Sequence, residues 1–249
     1  MINLNLTDLQ PITNQPALFI KKKQILVVAD LHIGIERELR ENGLNISSQT
    51  NLLLKKLIAI IKKYNPKKII LLGDVKHNIP TSTIQERKDV IFFIDNILSY
   101  AELHLFLGNH DGNIRKLLPS DVVLHPSDGD VIDDIGFIHG HRWPREEVMN
   151  CSHVIVAHTH PTVELTDRLG FKSYMSCWIR GDVFCNLSDR YPNMVSPKIV
   201  VMPAFNPYCG GIAVNVEQVI GPFNKILNVV DSEVFLLDGS YLGKLKNVG

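Results

Sequence analysis

"QILVVADLH", residues 24–32, decides how the rest of the chain is read. The run "ILVVA" is apolar and β-branched enough to bury as a strand. It stops on Asp30, Leu31 and His32, a carboxylate and an imidazole two residues apart. A helical stretch near "ERELREN" follows. A second helix spans roughly "SQTNLLLKKLIAIIKKY", where Leu53, Leu54, Leu57, Ile58, Ile61 and Tyr64 make one apolar stripe at helical spacing. The unit then repeats: strand "KKIILLGD", helix "STIQERKDVIFFIDNIL", strand "LHLFLGNHD", and weaker strands near "VVL" and "DIGFIHG". Strands alternating with helices predict an α/β layer architecture with both faces of a sheet covered.

The second half changes character. "HVIVAHTHP", "KIVVMPAF", "GIAVNV", "KILNVV" and "SEVFLLDGSYLGKL" read as strands with little helix between them, and Asp238-Gly239 as a hairpin turn. They predict a second sheet packed on the first. No repeat, low-complexity linker or composition break divides the chain, so residues 1–249 are expected to form a single domain.

Composition removes several classes of function. At 249 residues and 45% hydrophobic content the chain can bury a substantial core. Its 26 basic and 26 acidic residues cancel, so there is no broad positive field of the kind non-specific nucleic-acid binders show. The lysines of "IKKKQI" and "IKKYNPKK" read as solvated turns and helix ends. "MINLNLTDLQPITNQPALF" is a poor secretory signal and no apolar stretch is long enough to span a bilayer, which leads to the expectation of a cytoplasmic protein with no membrane partner. Cys151, Cys177, Cys185 and Cys209 match no paired zinc spacing and read as reduced, partly buried thiols.

Chemistry gathers at the strand ends. After "ILVVA" come Asp30 and His32; after "IILLG", Asp74; after "LFLG", Asn109, His110 and Asp111; after "GFI", His139; after "VIVA", His158 and His160. Open α/β sheets build their sites on the carboxyl rim. On an extended chain residues two apart share a side, so Asp30 with His32, and His158 with His160, are expected to point together. Each residue alone has an ordinary reading: a helix cap for either aspartate, an Asn-Gly turn for "GNHDGN", a core histidine for His139. Their ordered combination favours a site for two cations, with Asp74 able to bridge. Imidazole, carboxylate and amide ligands together suit manganese, iron or zinc better than calcium.

The motifs "DLH", "GDVKH", "GNHD", "HGH" and "HTH" occur in the order and approximate spacing of the calcineurin-like metallophosphoesterase superfamily. Within it the chain resembles the SbcD-related or ICC-like phosphoesterases of archaea, relatives of the ligase-associated phosphoesterases of bacteria. "SCWIRGD" and "MPAFNP" resemble that branch less specifically. The resemblance implies a four-layer α/β/β/α sandwich of two mixed sheets flanked by helices. It also implies two divalent metals, manganese first, held by Asp30, His32, Asp74 and His160 on one side and by Asp74, Asn109, His139 and His158 on the other. His110 takes the place of the histidine that faces the substrate phosphate. His77, three residues after Asp74, stands where the protein phosphatases have an aspartate supporting the catalytic histidine and the SbcD-type nucleases have a histidine, so the resemblance implies a catalytic role for it beside His110, with a surface loop as its plain alternative. In "IHGHRWP", His139 closes the strand, while His141 and Arg142 read as pocket residues or support; Arg180 and Asn206 are further pocket candidates, with structural roles as the alternative. His104, His125 and His153 read as structural or solvent-exposed.

These residues imply metal-assisted hydrolysis of a phosphate ester by a metal-bridging hydroxide, with His110 protonating the departing alcohol. The expected substrate is a small, cyclic or terminal phosphodiester of a nucleotide or nucleic acid. The neutral charge, and the short run after "MPAFNP" with no room for capping regions, argue against a processive nuclease. The alternatives are a phosphomonoesterase, and a protein-interaction scaffold that has lost its ligands. A homodimer through the helices after "DLHIG" is expected by analogy alone.

Overall fold

The apolar runs form strands because both of their faces are covered. The computed structural model describes residues 8–184, 187 and 189–248. Its first sheet contains β1 (Leu9–Pro11), β2 (Ala17–Ile20), β3 (Ile25–Val28), β4 (Lys68–Leu72), β5 (Glu102–Phe106) and β6 (Val123–His125), paired in that order. β3 to β6 are parallel, and β1 and β2 add an antiparallel edge. The second sheet contains β7 (Asp130–Ile132), β8 (Ile135–Ile138), β9 (His153–Val156), β10 (Pro161–Thr166), β11 (Lys172–Asp182), β12 (Lys198–Val201) and β13 (Ile212–Ala213). Its order is β13-β10-β11-β12-β9-β8-β7, and the hairpin β14 (Glu233–Leu236) and β15 (Tyr241–Lys244) pairs with β11.

The period of two sorts each strand into layers. Leu26 and Val28 of β3 and Ile69 and Leu71 of β4 face helices α2 (Thr50–Tyr64) and α3 (Ile84–Leu98). Their neighbours Ile25, Val27, Ile70 and Leu72, with Phe106, face the second sheet, where Phe137, Ile155, Trp178, Val200 and Phe235 close the layer. On the far side of that sheet Val154, Val156, Ile199 and Val201 pack under Phe223 and Ile226. The expected two mixed sheets flanked by helices are therefore present. The flanks are unequal: α1 (Glu36–Glu41), α2 and α3 cover one side, whereas among the described residues the other has only α4 (Glu146–Met149) and α5 (Phe223–Ile226) with extended chain. Among the described residues no helix is long and apolar enough to cross a membrane.

Local signals explain where the elements stop. α3 begins at Thr83, whose side chain accepts a hydrogen bond from the Glu86 amide at 3.1 Å. α2 ends at Asn65 in the left-handed conformation, its amide bonded to Ile61 O at 2.8 Å. Two expectations fail. "KILNVV" is no strand: Lys225 and Ile226 lie in α5, and Leu227 makes one isolated bridge to Val183. The chain turns at Gly221 and Pro222, and Ile226 packs as a helical residue. "GIAVNV" shrinks to the two residues of β13. The β10–β11 hairpin escaped the reading because its outer half is exposed and carries no apolar run. Cys151 and Cys177 are buried and Cys209 half-buried, all free; Cys185 lies outside the described residues.

His104 and His125 are structural, as expected, and they work together. His104 Nδ1 lies 2.9 Å from His125 Nε2, and His125 Nδ1 donates to Asp130 Oδ2 at 2.9 Å. Glu102 Oε1 lies 3.1 Å from His104 Nε2. The chain thus runs from β5 through β6 to β7 and ties one sheet to the other. The contact between the rings holds one proton, so adding a second breaks it. Burial pushes the His104 pKa below its ordinary value; Glu102 opposes the shift and His125 and Lys68 assist it. The unfolded chain therefore takes up this proton first, near pH 6.5, and the native state loses stability as pH falls below that value. Urea unfolding between pH 8 and pH 5 is expected to show a shallower fall in midpoint for His104→Gln than for the wild type. Parallel falls would remove this chain from the acid response.

Candidate active site

The strands stop before the functional residues begin. β3 ends at Val28, β4 at Leu72 and β9 at Val156, and the chain then leaves the extended conformation. Asp30 (φ 56°), His32 (φ 41°), Asp74 (φ 48°), His158 (φ 70°) and His160 (φ 45°) are all left-handed. The extended-chain reason for pairing these residues is therefore incorrect; they converge because a left-handed residue alternates with an ordinary one. Asp and His visit this region more readily than most residues. Each still costs of order 1–3 kcal/mol unless the surroundings over-determine it. They do so here. The amides of Asp30 and His32 donate to Gly73 O at 3.1 Å and Asp74 O at 2.8 Å, and the His160 carbonyl accepts from Ile212 at 3.2 Å.

These side chains form a ring. Asp30 Oδ1 lies 3.4 Å from His160 Nε2 and 3.6 Å from His139 Nδ1. Asp74 Oδ2 lies 3.6 Å from His32 Nε2 and 3.3 Å from His139 Nε2, and Asp74 Oδ1 accepts the His110 amide at 2.8 Å. Asn109 Oδ1 sits 3.2 Å from His139 Nε2, and the His139 and His158 rings are 4.9 Å apart. Two groups, Asp30/His32/Asp74 and Asp74/His139/His158, each bring their ligand atoms within 4.8 Å of one another and share Asp74. A third brings His32 and His160 to Cys209. The ring floors a cavity of about 330 Å³ that His110, Thr159, Ile212 and Ile220 also line.

Burial governs the electrostatics. It works to raise the Asp30 and Asp74 pKa values, but the imidazoles of His160 and His139 outweigh it and hold both carboxyls below their usual range. Burial likewise opposes charge on His139 and His160, and here the carboxylates win: His139 rises to about 9 and His160 also moves up. Burial prevails at His32, lowered to about 3, and at His158, lowered to about 4 with the help of His139. Two imidazoles thus balance two carboxylates, and two neutral ones offer lone pairs.

A divalent metal fits these residues. Both Asp30 oxygens, His32 Nε2 and His160 Nε2 are buried without a hydrogen-bond partner, which is costly for groups aimed at nothing. His139 donates Nδ1–H to Leu72 O at 3.0 Å, and His32 Nδ1 lies 3.1 Å from His77 Nδ1, so each ring is oriented from behind as metal-ligating histidines are.

The surrounding layer contains residues that motif reading left out. His77 Nε2 lies 2.6 Å from Glu38 Oε2, so Glu38, His77 and His32 form a chain that ends on Asp74. The His77 ring does not line the cavity; its carbonyl instead bonds His110 Nδ1 and leaves His110 Nε2 to the open side. Asp111 is buried and accepts from Gly108 at 2.9 Å, Val75 at 3.0 Å and Lys76 at 3.3 Å, joining the loops after β5 and β4. Burial and the neighbouring Asp74 raise its pKa to about 6. Only the alternation of helix and strand pointed toward Glu38, and nothing but the place of Asp111 in "GNHD" pointed to Asp111.

The structure divides the weaker candidates. His141 and Arg142 line a cleft next to the cavity, with the His141 ring 5.3 Å from His139. Asn206 is buried away from the opening; its amide donates to Leu31 O at 2.8 Å and its Oδ1 accepts from Tyr208 at 3.0 Å, which braces the Asp30 loop. Arg180 does not reach the cavity. It sits within β11 and pairs with Glu233 at 3.2 Å.

Carboxylates and imidazoles brought to one rim by two facing sheets make a site able to hold divalent metal. Residues 23–195 match the calcineurin-like phosphoesterase family, and the chain belongs to it. It is a hydrolytic enzyme acting on phosphate esters, and membership implies divalent metal at the site. The solved structure of Pseudomonas putida nuclease MPE aligns with a TM-score of 0.56 at 20% identity, over 93% of this chain and 98% of that one, which shows a common fold. Yfce, a phosphoesterase from E. coli, aligns with a TM-score of 0.41 at 11% identity, over 88% and 97%. No curated protein sequence matches the chain.

Two glycines give a direct test of the ring. A Cβ on Gly108 would lie 2.1 Å from Asp74 Oδ1, and one on Gly73 would lie 2.3 Å from His139 Nδ1. One on Gly112, in the same loop as Gly108, would meet nothing. Gly108→Ala is expected to lower divalent-metal affinity by about 10- to 100-fold, read by calorimetric titration, while Gly112→Ala retains it. Equal affinities in the two variants would show that Asp74 is not a ligand.

Proposed function

We propose that this phosphoesterase hydrolyses phosphodiesters of nucleotides or of nucleic-acid ends, with two divalent metals held on either side of Asp74. The observation that carries the reading is the pair of metal-capable groups sharing that one carboxylate. In this reading Asp30, His32, Asp74 and His160 hold one ion and Asp74, Asn109, His139 and His158 the other. The mixed nitrogen and oxygen donors favour manganese, with iron or zinc next. Bound there, the ions supply Lewis-acid charge for the phosphoryl oxygens and lower the pKa of a coordinated water.

The remaining chemistry belongs to the chain. His110 donates Nδ1–H to the His77 carbonyl, so the tautomer is set and Nε2 faces the cavity. As the imidazolium, with a second proton on Nε2, the ring would give that proton to the departing alcohol oxygen and be left neutral with its Nδ1–H bond intact, a contribution of about 100- to 10,000-fold. His77, bonded to Glu38 and to His32, is a positioning residue rather than a group that touches substrate. Support for a diester comes from the nuclease among the fold relatives and from "GDVKH", which also underlies the assignment to the SbcD-related, ICC-like branch. Both sheets contribute to one site, which supports a single domain, and the free thiols suit a cytoplasmic setting. A homodimer through α1 and α2, with Leu44 exposed between them and Leu52 exposed on α2, belongs to the same reading.

With manganese present, bis(p-nitrophenyl) phosphate, 2′,3′-cyclic nucleotides and single-stranded DNA are expected to be cleaved in preference to p-nitrophenyl phosphate. Preference for the monoester would overturn the diesterase reading, and hydrolysis of none of them by metal-loaded protein would favour a scaffold. His110→Ala is expected to lose about 100-fold or more in kcat at unchanged metal content; full turnover would remove His110 from catalysis. His160→Ala is expected to weaken one ion and His158→Ala the other, seen as loss of different steps in a two-step binding isotherm.

A further inference from the structure

The cavity above the ring continues past Asn109. On the other side of that residue lies a second cleft of about 420 Å³, to which Arg115, Ser127, His141 and Arg142 contribute, and Asn109 lines both. The two hollows therefore meet at a side chain assigned here to a metal. Arg115 and Arg142 are exposed. Among the described residues, ion pairs take up Arg37, Arg145 and Arg180 but neither of these two.

The acidic groups nearby do not cancel them. Asp111 lines the cleft too, but it is buried and its oxygens are taken by three backbone amides. Asp128, beside Ser127, is held by Arg145 at 2.9 Å. The His141 ring lines the cleft, and its Nδ1 is buried without a hydrogen-bond partner. The cleft thus presents two unpaired guanidiniums on a chain whose net charge is zero. Guanidinium geometry matches phosphate oxygens in pairs, and a concave surface lined by one sign of charge focuses its field.

We propose that this cleft is a second phosphate subsite, which binds the phosphate next to the scissile one in a nucleic-acid strand. The preferred substrate is then an oligonucleotide or strand end with at least two phosphates, and an isolated cyclic mononucleotide fills only half of the site. This rests on the phosphodiesterase reading and names its substrate class.

Two measurements test it on the full chain. In the first, binding of a fluorescent single-stranded oligodeoxynucleotide is followed by anisotropy in EDTA, so that turnover does not interfere. Arg115→Ala/Arg142→Ala is expected to weaken binding at least ten-fold and to reduce the slope of log K against log salt by about 0.7, the contribution of the one neutralised phosphate of a single strand that the subsite holds. Arg168→Ala removes an exposed charge from the β10–β11 turn and is the control; equal Kd values for it and the double variant would overturn the subsite. In the second, kcat/KM with manganese is expected to fall at least ten-fold more for the oligonucleotide than for bis(p-nitrophenyl) phosphate. Equal falls would likewise overturn it. The two readings fail separately. Wild-type protein that cleaves the small diester while the double variant binds the oligonucleotide normally loses the subsite alone. Wild-type protein that cleaves no diester, yet binds the oligonucleotide through both arginines, loses the diesterase reading alone.

Discussion

The Asp74 carboxylate is the point at which both sheets meet and which two of the metal-capable groups share. Oδ1 is pinned by the His110 amide, from the loop after β5, while Oδ2 faces His32 after β3 and His139 after β8. His32 and His139 are held in turn from behind, by His77 and by the Leu72 carbonyl, and the buried Asp111 ties the loop after β5 to that after β4. A carboxylate in so buried a position is tolerated only with its charge matched. The ring supplies that through imidazoles, and metal does so when bound. Removing it would leave the His32 and His139 rings and the His110 amide with nothing common to face.

The fold serves that point by spending conformational freedom at a few backbone positions. Five ring residues are left-handed, and Gly73 and Gly108 lie so near His139 and Asp74 that no side chain fits. Those strained loops hold because the strands beneath them are rigid: β3, β4, β5 and β9 have buried cores and parallel registers.

Much of this was legible in the sequence, for a physical reason. Strands buried on both faces read as unbroken apolar runs, and a histidine or aspartate that ends such a run is conspicuous; Asp30, Asp74, His139 and His158 were all visible that way. What sequence conceals is anything set by long-range contact. Glu38 reaches His77 across 39 positions, and Cys209 reaches Asp30 across 179. Arg180 misled because an arginine beside a glycine in a short motif looks functional, whereas its register in β11 commits it to Glu233. "KILNVV" misled because an apolar run of that length fits a strand and a short amphipathic turn equally well. The left-handed backbone was invisible because Asp and His are compatible with it without requiring it.

The apolar layer between the two sheets has a consequence beyond stability. Asp30, His32, Asp74 and Asn109 follow strands of one sheet, and His139, His158 and His160 follow strands of the other. The thickness of the layer formed by Phe106, Phe137, Ile155 and Trp178 therefore sets how far apart the two halves of the ring stand. It acts as a spacer, so the opening between the two halves of the rim is set partly by hydrocarbon that lines none of it.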